Sequence, residues 1–198
     1  MNLPPRQEIF RKALHISASI IPISYNMIPS LDSCVLASIL FLAIIIGVIL
    51  EYVRTNNKRA KIFFSHFFNF MMREDELNGK LTGATWLLFG CFFSVILFPR
   101  EISVISMLFL TIGDSFASII GKSFPYGKYN EKTISGSLGG FFLTGLIIFY
   151  FLDNINPFVL IIGLVFAMLT ELFSKIVNDN ISIPIISGLA MFSLGDIF

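Results

Sequence analysis

The chain has 198 residues, 55% of them hydrophobic and only 14% charged, with a net charge of +1 and a mean hydropathy of +0.81. These values exclude an ordinary soluble globular protein. They point to an all-α polytopic membrane protein, one integral-membrane domain over 1–198 with the lipid bilayer as its surroundings and no nucleic acid among its partners.

Taken in order, apolar stretches of about the 20 residues that cross a hydrocarbon core fall at 13–29, 33–52, 81–98, 102–121, 134–152, 157–175 and 181–197. The last is short and interrupted by Pro184 and Gly188. The first follows Arg6, Arg11, Lys12 and His15 and has no small-residue cleavage site behind it, so it reads as a permanent helix rather than a signal peptide. With the N-terminus in the cytoplasm, these seven spans put Arg6, Arg11, Lys12, Arg54, Lys58, Arg59, Lys61, Arg73, Lys80, Lys122, Lys128, Lys132 and Lys175 on the inner side and only Arg100 outside. The expected setting is a bacterial or archaeal plasma membrane, or the endoplasmic reticulum membrane of a eukaryote, with the active site cytoplasmic. Cys34 and Cys91 lie in apolar runs without CxxC spacing and read as packing residues.

Between the second and third spans, KIFFSHFFNFMM sets Phe63, Phe64, Phe67, Phe68 and Met71 on one helical face, with Ser65, His66, Asn69 and Arg73 elsewhere. That pattern predicts an amphipathic helix at about 60–73 lying in the interface. The following REDELNGK reads as a charged surface turn. Trp86 and Tyr150 suit interfacial belts, and Gly47, Gly139, Gly140, Gly145 and Gly163 would let helices approach closely.

The most informative stretch is Thr111 to Leu138, TIGDSFASIIGKSFPYGKYNEKTISGSL. It places Asp114 inside an apolar run, where a charge costs about 2.5–3.5 kcal/mol on insertion scales and is kept mostly for function. Gly121, Lys122, Gly127, Lys128 and Lys132 follow, then Ser135-Gly136-Ser137 at the start of the next span. An acid in the membrane, a basic glycine-containing loop at its surface and hydroxyl residues at a helix start suit a polyanion with its metal ion. A helix beginning at Thr133 to Ser137 is expected to offer free N–H groups and its dipole to phosphate. GKSFPYGK is not a Walker A loop.

Asp114, Glu171, Asp179 and Asn180 are hard oxygen ligands of the kind Mg2+ takes, together with substrate phosphates. Asp114 could ligate the metal or act as base, and both roles stay open. His15 could serve as base, phosphate donor or helix cap, with Arg11 and Lys12 completing the cluster. Counting helical rise places Asp114 and Glu171 at similar depth, as a shared cation would require. The competing reading is that each carboxylate pairs with a lysine or serine and only ties helices together.

Four segments resemble the integral-membrane, CTP-dependent lipid kinases, which include dolichol kinase, phytol and farnesol kinases and the fungal CTP-dependent diacylglycerol kinase. They are RKALH at 11–15, GDSFASIIGKSFPYGK at 113–128, KTISGSLGG at 132–140 and TELFSKIVNDNISIPIISG at 170–188. The resemblance implies CTP as phosphate donor, a membrane lipid alcohol as acceptor, and nucleotide and Mg2+ handling by Asp114, Lys132, Ser135, Ser137, Glu171, Asp179 and Asn180, with His15 and Arg11 nearby. Ser17, Ala18 and Ser19 stand where family members often carry a glycine, and Asn178 where they carry a second acid. The expected activity is a kinase acting on an isoprenoid alcohol of the polyprenol, dolichol or phytol type. The alternatives are a CTP-dependent diacylglycerol kinase, an enzyme like the phosphatidate cytidylyltransferases, whose HGG-x-x-DR-x-D type ending is absent here, and a non-enzymatic transporter or assembly factor.

Overall fold

The computed structural model describes residues 4–68, 71–151, 156–174 and 177–194. About 80% of them are helical. The helices are α1 (Arg6–Ser17), α2 (Ile20–Met27), α3 (Ser33–Asn56), α4 (Lys58–Phe68), α5 (Glu74–Leu77), α6 (Gly83–Leu97), α7 (Arg100–Leu108), α8 (Asp114–Ser123), α9 (Ile134–Phe151), α10 (Pro157–Phe173) and α11 (Asp179–Phe192). A π turn over Phe109–Gly113 joins α7 to α8. Among the described residues, three helices are long and apolar enough to cross a membrane: Ser33–Asn56, the continuous Arg100–Ser123 and Ile134–Phe151. Gly83–Leu97, Pro157–Phe173 and Asp179–Phe192 are apolar but shorter.

The α7–α8 rod is the axis of the molecule. Val104, Ile105, Met107, Phe109 and Leu110 along it are almost fully buried, because α1, α2, α9, α10 and α11 all pack on it. By contrast α3 packs on α6 and α4 and leaves Phe41, Leu42, Ile46 and Ile49 exposed, a surface suited to acyl chains. Polar starts fix several helices: the Asp32 carboxylate accepts the N–H of Val35 at 2.8 Å, and the Asn178 amide oxygen accepts that of Asn180 at 3.0 Å. Asn178, which stands where an acid was expected, is thus the cap of α11.

Three sequence expectations change. The stretch 13–29 is two helices, breaking at Ala18–Ser19. Pro22 has no N–H to return to Ala18, whose carbonyl instead accepts from Ile21 at 3.0 Å, while the Ser19 hydroxyl donates to Thr111 at 2.8 Å. The last stretch is uninterrupted, since α11 runs through both Pro184 and Gly188. Pro184 frees the carbonyl of Asn180, and Gly90 of α6, having no side chain, lies directly against that oxygen.

The turn REDELNGK is not wholly at the surface. Glu76 is buried, because its carboxylate accepts the N–H of Gly83 at 2.8 Å and that of Arg73 at 2.9 Å. The predicted amphipathic segment forms α4, with Phe63 and Phe68 exposed. Asn69 and the Phe67 side chain, expected on its faces, lie outside the described residues, as do Lys175 and the C-terminal end of the last predicted span.

The glycines on α9 act as expected. A Cβ on Gly140 would meet Ala117 and the carbonyl of Gly113 at 3.0 Å, and one on Gly139 would meet Ile120 at 2.5 Å. This close crossing holds α9 against α8. The loop before α9 adds a small hairpin that the sequence reading missed, Lys128–Tyr129 pairing antiparallel with Lys132–Thr133. Asn130 takes its left-handed position at φ 54°.

Candidate active site

Asp114 is the first residue of α8, immediately after the π turn, a distortion that often accompanies function. Its carboxylate is buried and ion-paired with Lys12 of α1. The Nδ1 of His15 is 3.8 Å from the same carboxylate oxygen and has no hydrogen-bond partner. Lys12 and His15 are one helical turn apart, so α1 presents both to α8.

Glu8 lies one turn earlier on the same face and is likewise buried. It accepts from Arg11 at 2.7 Å, from Lys122 at 2.5 Å and from the Ser118 hydroxyl at 2.5 Å. Burial raises the Glu8 pKa, but Lys122, Ser118, Arg11 and Lys12 outweigh it and hold the carboxyl below its ordinary value. A depressed carboxyl pKa contributes stability that is present above the unfolded value of about 4.3 and lost as pH falls through the folded value. Glu8→Gln is therefore expected to lower the thermal midpoint at pH 7, with a loss on the order of 3 kcal/mol for stripping a buried partner from its cations. The gap to the parent protein should narrow on acidification below about pH 4. Thermal unfolding in detergent across pH checks this, and a gap that widens toward acid would contradict it.

On the other wall, Lys132 at the base of the hairpin reaches between Glu171 of α10 at 3.2 Å and Asp179 of α11 at 3.1 Å. The Ser137 hydroxyl donates to Glu171 at 2.8 Å. Burial works against the Lys132 charge, yet Asp179, Glu171 and Asp114 outweigh it and raise its pKa. Lys132 is therefore a cation throughout the physiological range.

These two walls enclose one polar cleft of about 160 Å³, lined among others by Arg11, Lys12, Lys122 and Lys132 and by Asp114, Glu171 and Asp179. The sequence reading did not include Glu131, Arg73 or Ser118, which also line it, nor Glu8 beside it. The signal for Glu8 was its i, i+4, i+7 spacing with Lys12 and His15. Arg73 and Glu131 carried none, since each looks like any loop charge.

Not every expected residue joins this cleft. Lys128 is exposed on the hairpin and does not line it. The Asn180 amide donates to the carbonyl of Gly83 at 2.9 Å, tying α11 to α6. Three N–H groups at the start of α9 have partners within the protein. Ile134 and Ser135 donate to the carbonyls of Gly127 and Tyr126 at 3.0 and 3.2 Å, and Gly136 donates to the Thr133 hydroxyl at 3.1 Å.

The loop and a threonine thus engage three of the N–H groups at that helix start. Ser135 itself donates to Phe124 and accepts from the N–H of Tyr126, bracing that loop. Gly136 serves the helix crossing, where a Cβ would fall 2.4 Å from the carbonyl of Ala117. The side-chain cations of the cleft stand beside carboxylate partners, Lys12 with Asp114, Arg11 and Lys122 with Glu8, and Lys132 with Glu171 and Asp179.

Among the described residues, no group of three or more His, Cys, Asp or Glu side chains is arranged to hold a metal alone. Glu171 and Asp179 do converge on one cation, the Lys132 ammonium. Two such carboxylates fit Mg2+ only when phosphate oxygens complete its shell.

A second buried polar network lies where α3 meets α6. Glu51 accepts from Arg54 at 2.5 Å and from the N–H of Thr82 at 3.1 Å, and Arg54 also donates to the carbonyl of Glu76 at 2.8 Å.

No protein-family model matches the chain, and no solved structure matches it. The uncharacterized protein RP860 of Rickettsia prowazekii is 34% identical over 183 residues, 88% of each chain. CTP-dependent diacylglycerol kinase 1 of Schizosaccharomyces pombe is 29% identical over 69% of this chain and 63% of its own length. Probable phytol kinase 2, chloroplastic, of Glycine max is 27% identical over 61% of this chain and 48% of its own. The chain thus spans about half to under two thirds of these two kinases. By the extent and identity of the first match, this protein belongs to one family with RP860, and it is more distantly similar to proteins named as CTP-dependent diacylglycerol kinases and phytol kinases.

Proposed function

We propose that the protein is a CTP-dependent kinase that phosphorylates the hydroxyl of a membrane isoprenoid alcohol at the cytoplasmic face. The observation that carries this reading is the shared cleft, in which the buried Asp114 with Lys12 and His15 faces Lys132 between Glu171 and Asp179. Phosphoryl transfer chiefly needs cationic clamps and alignment of the attacking oxygen. Arg11, Lys122 and Lys132 line the cleft as the clamps.

In the reaction, the lipid hydroxyl oxygen bonds to the γ-phosphorus of CTP. The bond from that phosphorus to the oxygen bridging it to the β-phosphate breaks, and CDP leaves with the bonding pair. The hydroxyl proton passes to the pair formed by His15 and Asp114. Glu171 and Asp179 would hold Mg2+ together with the phosphates. When bound, that ion neutralises charge on the oxygens of the transferred group. The strong Lys/Arg bias toward one set of loops supports the cytoplasmic orientation.

The test uses purified protein with Mg2+ and CTP against polyprenol, phytol, diacylglycerol and phosphatidate. A prenyl phosphate and CDP are expected in equal amounts. Lys132→Ala should lower the rate at least about 100-fold, as losing one electrostatic contact at the transferring group does in other enzymes. The names of the two yeast relatives, each CTP-dependent diacylglycerol kinase 1, favour a second reading, in which phosphatidate is made from diacylglycerol and the prenols are inert. Pyrophosphate release on phosphatidate, or no turnover on any lipid, would overturn both.

A further inference from the structure

Next to the polar cleft, on an adjoining face of α1, is a second cavity of about 480 Å³. Its walls come from α1 to α6 and are mostly apolar, with Ala18, Ile21, Leu87 and Leu88 among the lining side chains. A volume of this size is that of a small-molecule site. Leu14, Leu50 and Phe68 line it as well and are about half exposed on the apolar surface. The cavity is thus continuous with the face of the molecule that an acyl environment would cover.

Two residues connect this cavity to the cleft. Arg11 lines both. His15 lines the apolar cavity, while its Nδ1 lies 3.8 Å from the Asp114 carboxylate. Among the described residues, three buried side-chain polar atoms have no hydrogen-bond partner, and two of them, His15 Nδ1 and Arg54 Nε, belong to residues lining this cavity. Buried polar atoms are nearly always paired in folded proteins, so unmet hydrogen-bonding capacity at the edge of an oily chamber marks the place for a polar group on an apolar ligand.

We propose that this cavity is the acceptor chamber. In it, the tail of a long-chain lipid alcohol enters past Leu14, Leu50 and Phe68 and its terminal hydroxyl stops at His15, within reach of Asp114. The inference rests on the kinase reading for the fate of that hydroxyl, but the binding itself does not. The chamber selects for an apolar tail, and His15 is the point at which the two substrates meet.

The experiment uses the full chain in lipid nanodiscs and a long-chain primary alcohol carrying a photoreactive diazirine in its tail. Labelling is expected on peptides from α1, α3 and α6, competed by the unlabelled alcohol, and at least tenfold weaker in Ala18→Leu and in Ala84→Leu, which fill the chamber from different helices. Phe142→Ala, on the exposed face of α9, should label as the parent does. In both filled variants KM for the long-chain acceptor should rise at least tenfold, with KM for CTP changed far less.

Labelling indifferent to both filling substitutions, or confined to exposed residues such as Phe142, identifies annular lipid and overturns the chamber. Labelling as expected with no phosphate transferred keeps the chamber and removes the kinase reading. Transfer with unaltered acceptor KM in both filled variants keeps the kinase and removes the chamber.

Discussion

Asp114→Asn should reduce phosphoryl transfer by roughly 1,000-fold, within the range for loss of a positioned proton acceptor, and should also destabilise the protein. The carboxylate is buried and paired with Lys12, itself buried. Removing one partner of such a pair leaves the other uncompensated and typically costs about 3–5 kcal/mol. An inactive single variant would therefore say little about chemistry. The double variant Lys12→Met with Asp114→Asn separates the two effects, because replacing both members of a buried pair by neutral groups is often close to neutral for stability. The double variant is expected to recover most of the thermal midpoint and none of the turnover. Recovery of activity along with stability would make Asp114 a tie between α1 and α8 and nothing more.

Gly90→Ala should be the most destabilising methyl addition among the described glycines. The added Cβ would fall 2.0 Å from the Asn180 carbonyl oxygen, 3.1 Å from its carbon and 3.3 Å from the Pro184 ring. Backbone and a proline ring cannot rotate aside, so α6 and α11 must separate. Overpacking costs about 1–3 kcal/mol and occasionally more, and the upper end is expected here. Separation would also shift Asp179, which holds Lys132 at 3.1 Å, so activity should fall with stability.

Gly47→Ala is the control. Its Cβ would meet Thr85 at 3.4 Å, an ordinary contact, so it should change the midpoint little. Thermal unfolding in detergent gives both comparisons, and equal behaviour of the two variants would contradict the account of the α6–α11 contact.

Much of the cleft was legible in the sequence because a charge inside an apolar run is informative at a single position. Asp114 needed no partner to be noticed, and Glu171, Lys132 and Asp179 followed once helix ends were grouped on one face. Glu8 was missed because a carboxylate ahead of the first apolar run looks solvated, although α1 extends back to Arg6 and carries it into the interior. That three N–H groups at the start of α9 are already engaged was not legible for a different reason. Whether helix-terminal N–H groups are free depends on where the preceding loop folds, and here Gly127 and Tyr126 return their carbonyls to that end.

Pro184 was misread for a related reason. Proline breaks a helix when the carbonyl it leaves unpaired has nowhere to go, and the accommodating residue, Gly90, is 94 positions away in the chain, a pairing that local pattern does not contain. The apolar cavity was equally out of reach, since it is bounded by six helices and no single one of them signals it.

The central claim is that one cleft brings a water-borne triphosphate to a lipid hydroxyl. It is tested most directly by incubating the reconstituted protein with CTP radiolabelled in its γ-phosphate and a total lipid extract. The account predicts label in an organic-soluble phosphorylated alcohol, with CDP formed in equal amount, and loss of that label in Lys132→Ala. Label that never enters the lipid phase, or that enters equally with Lys132→Ala, would contradict it.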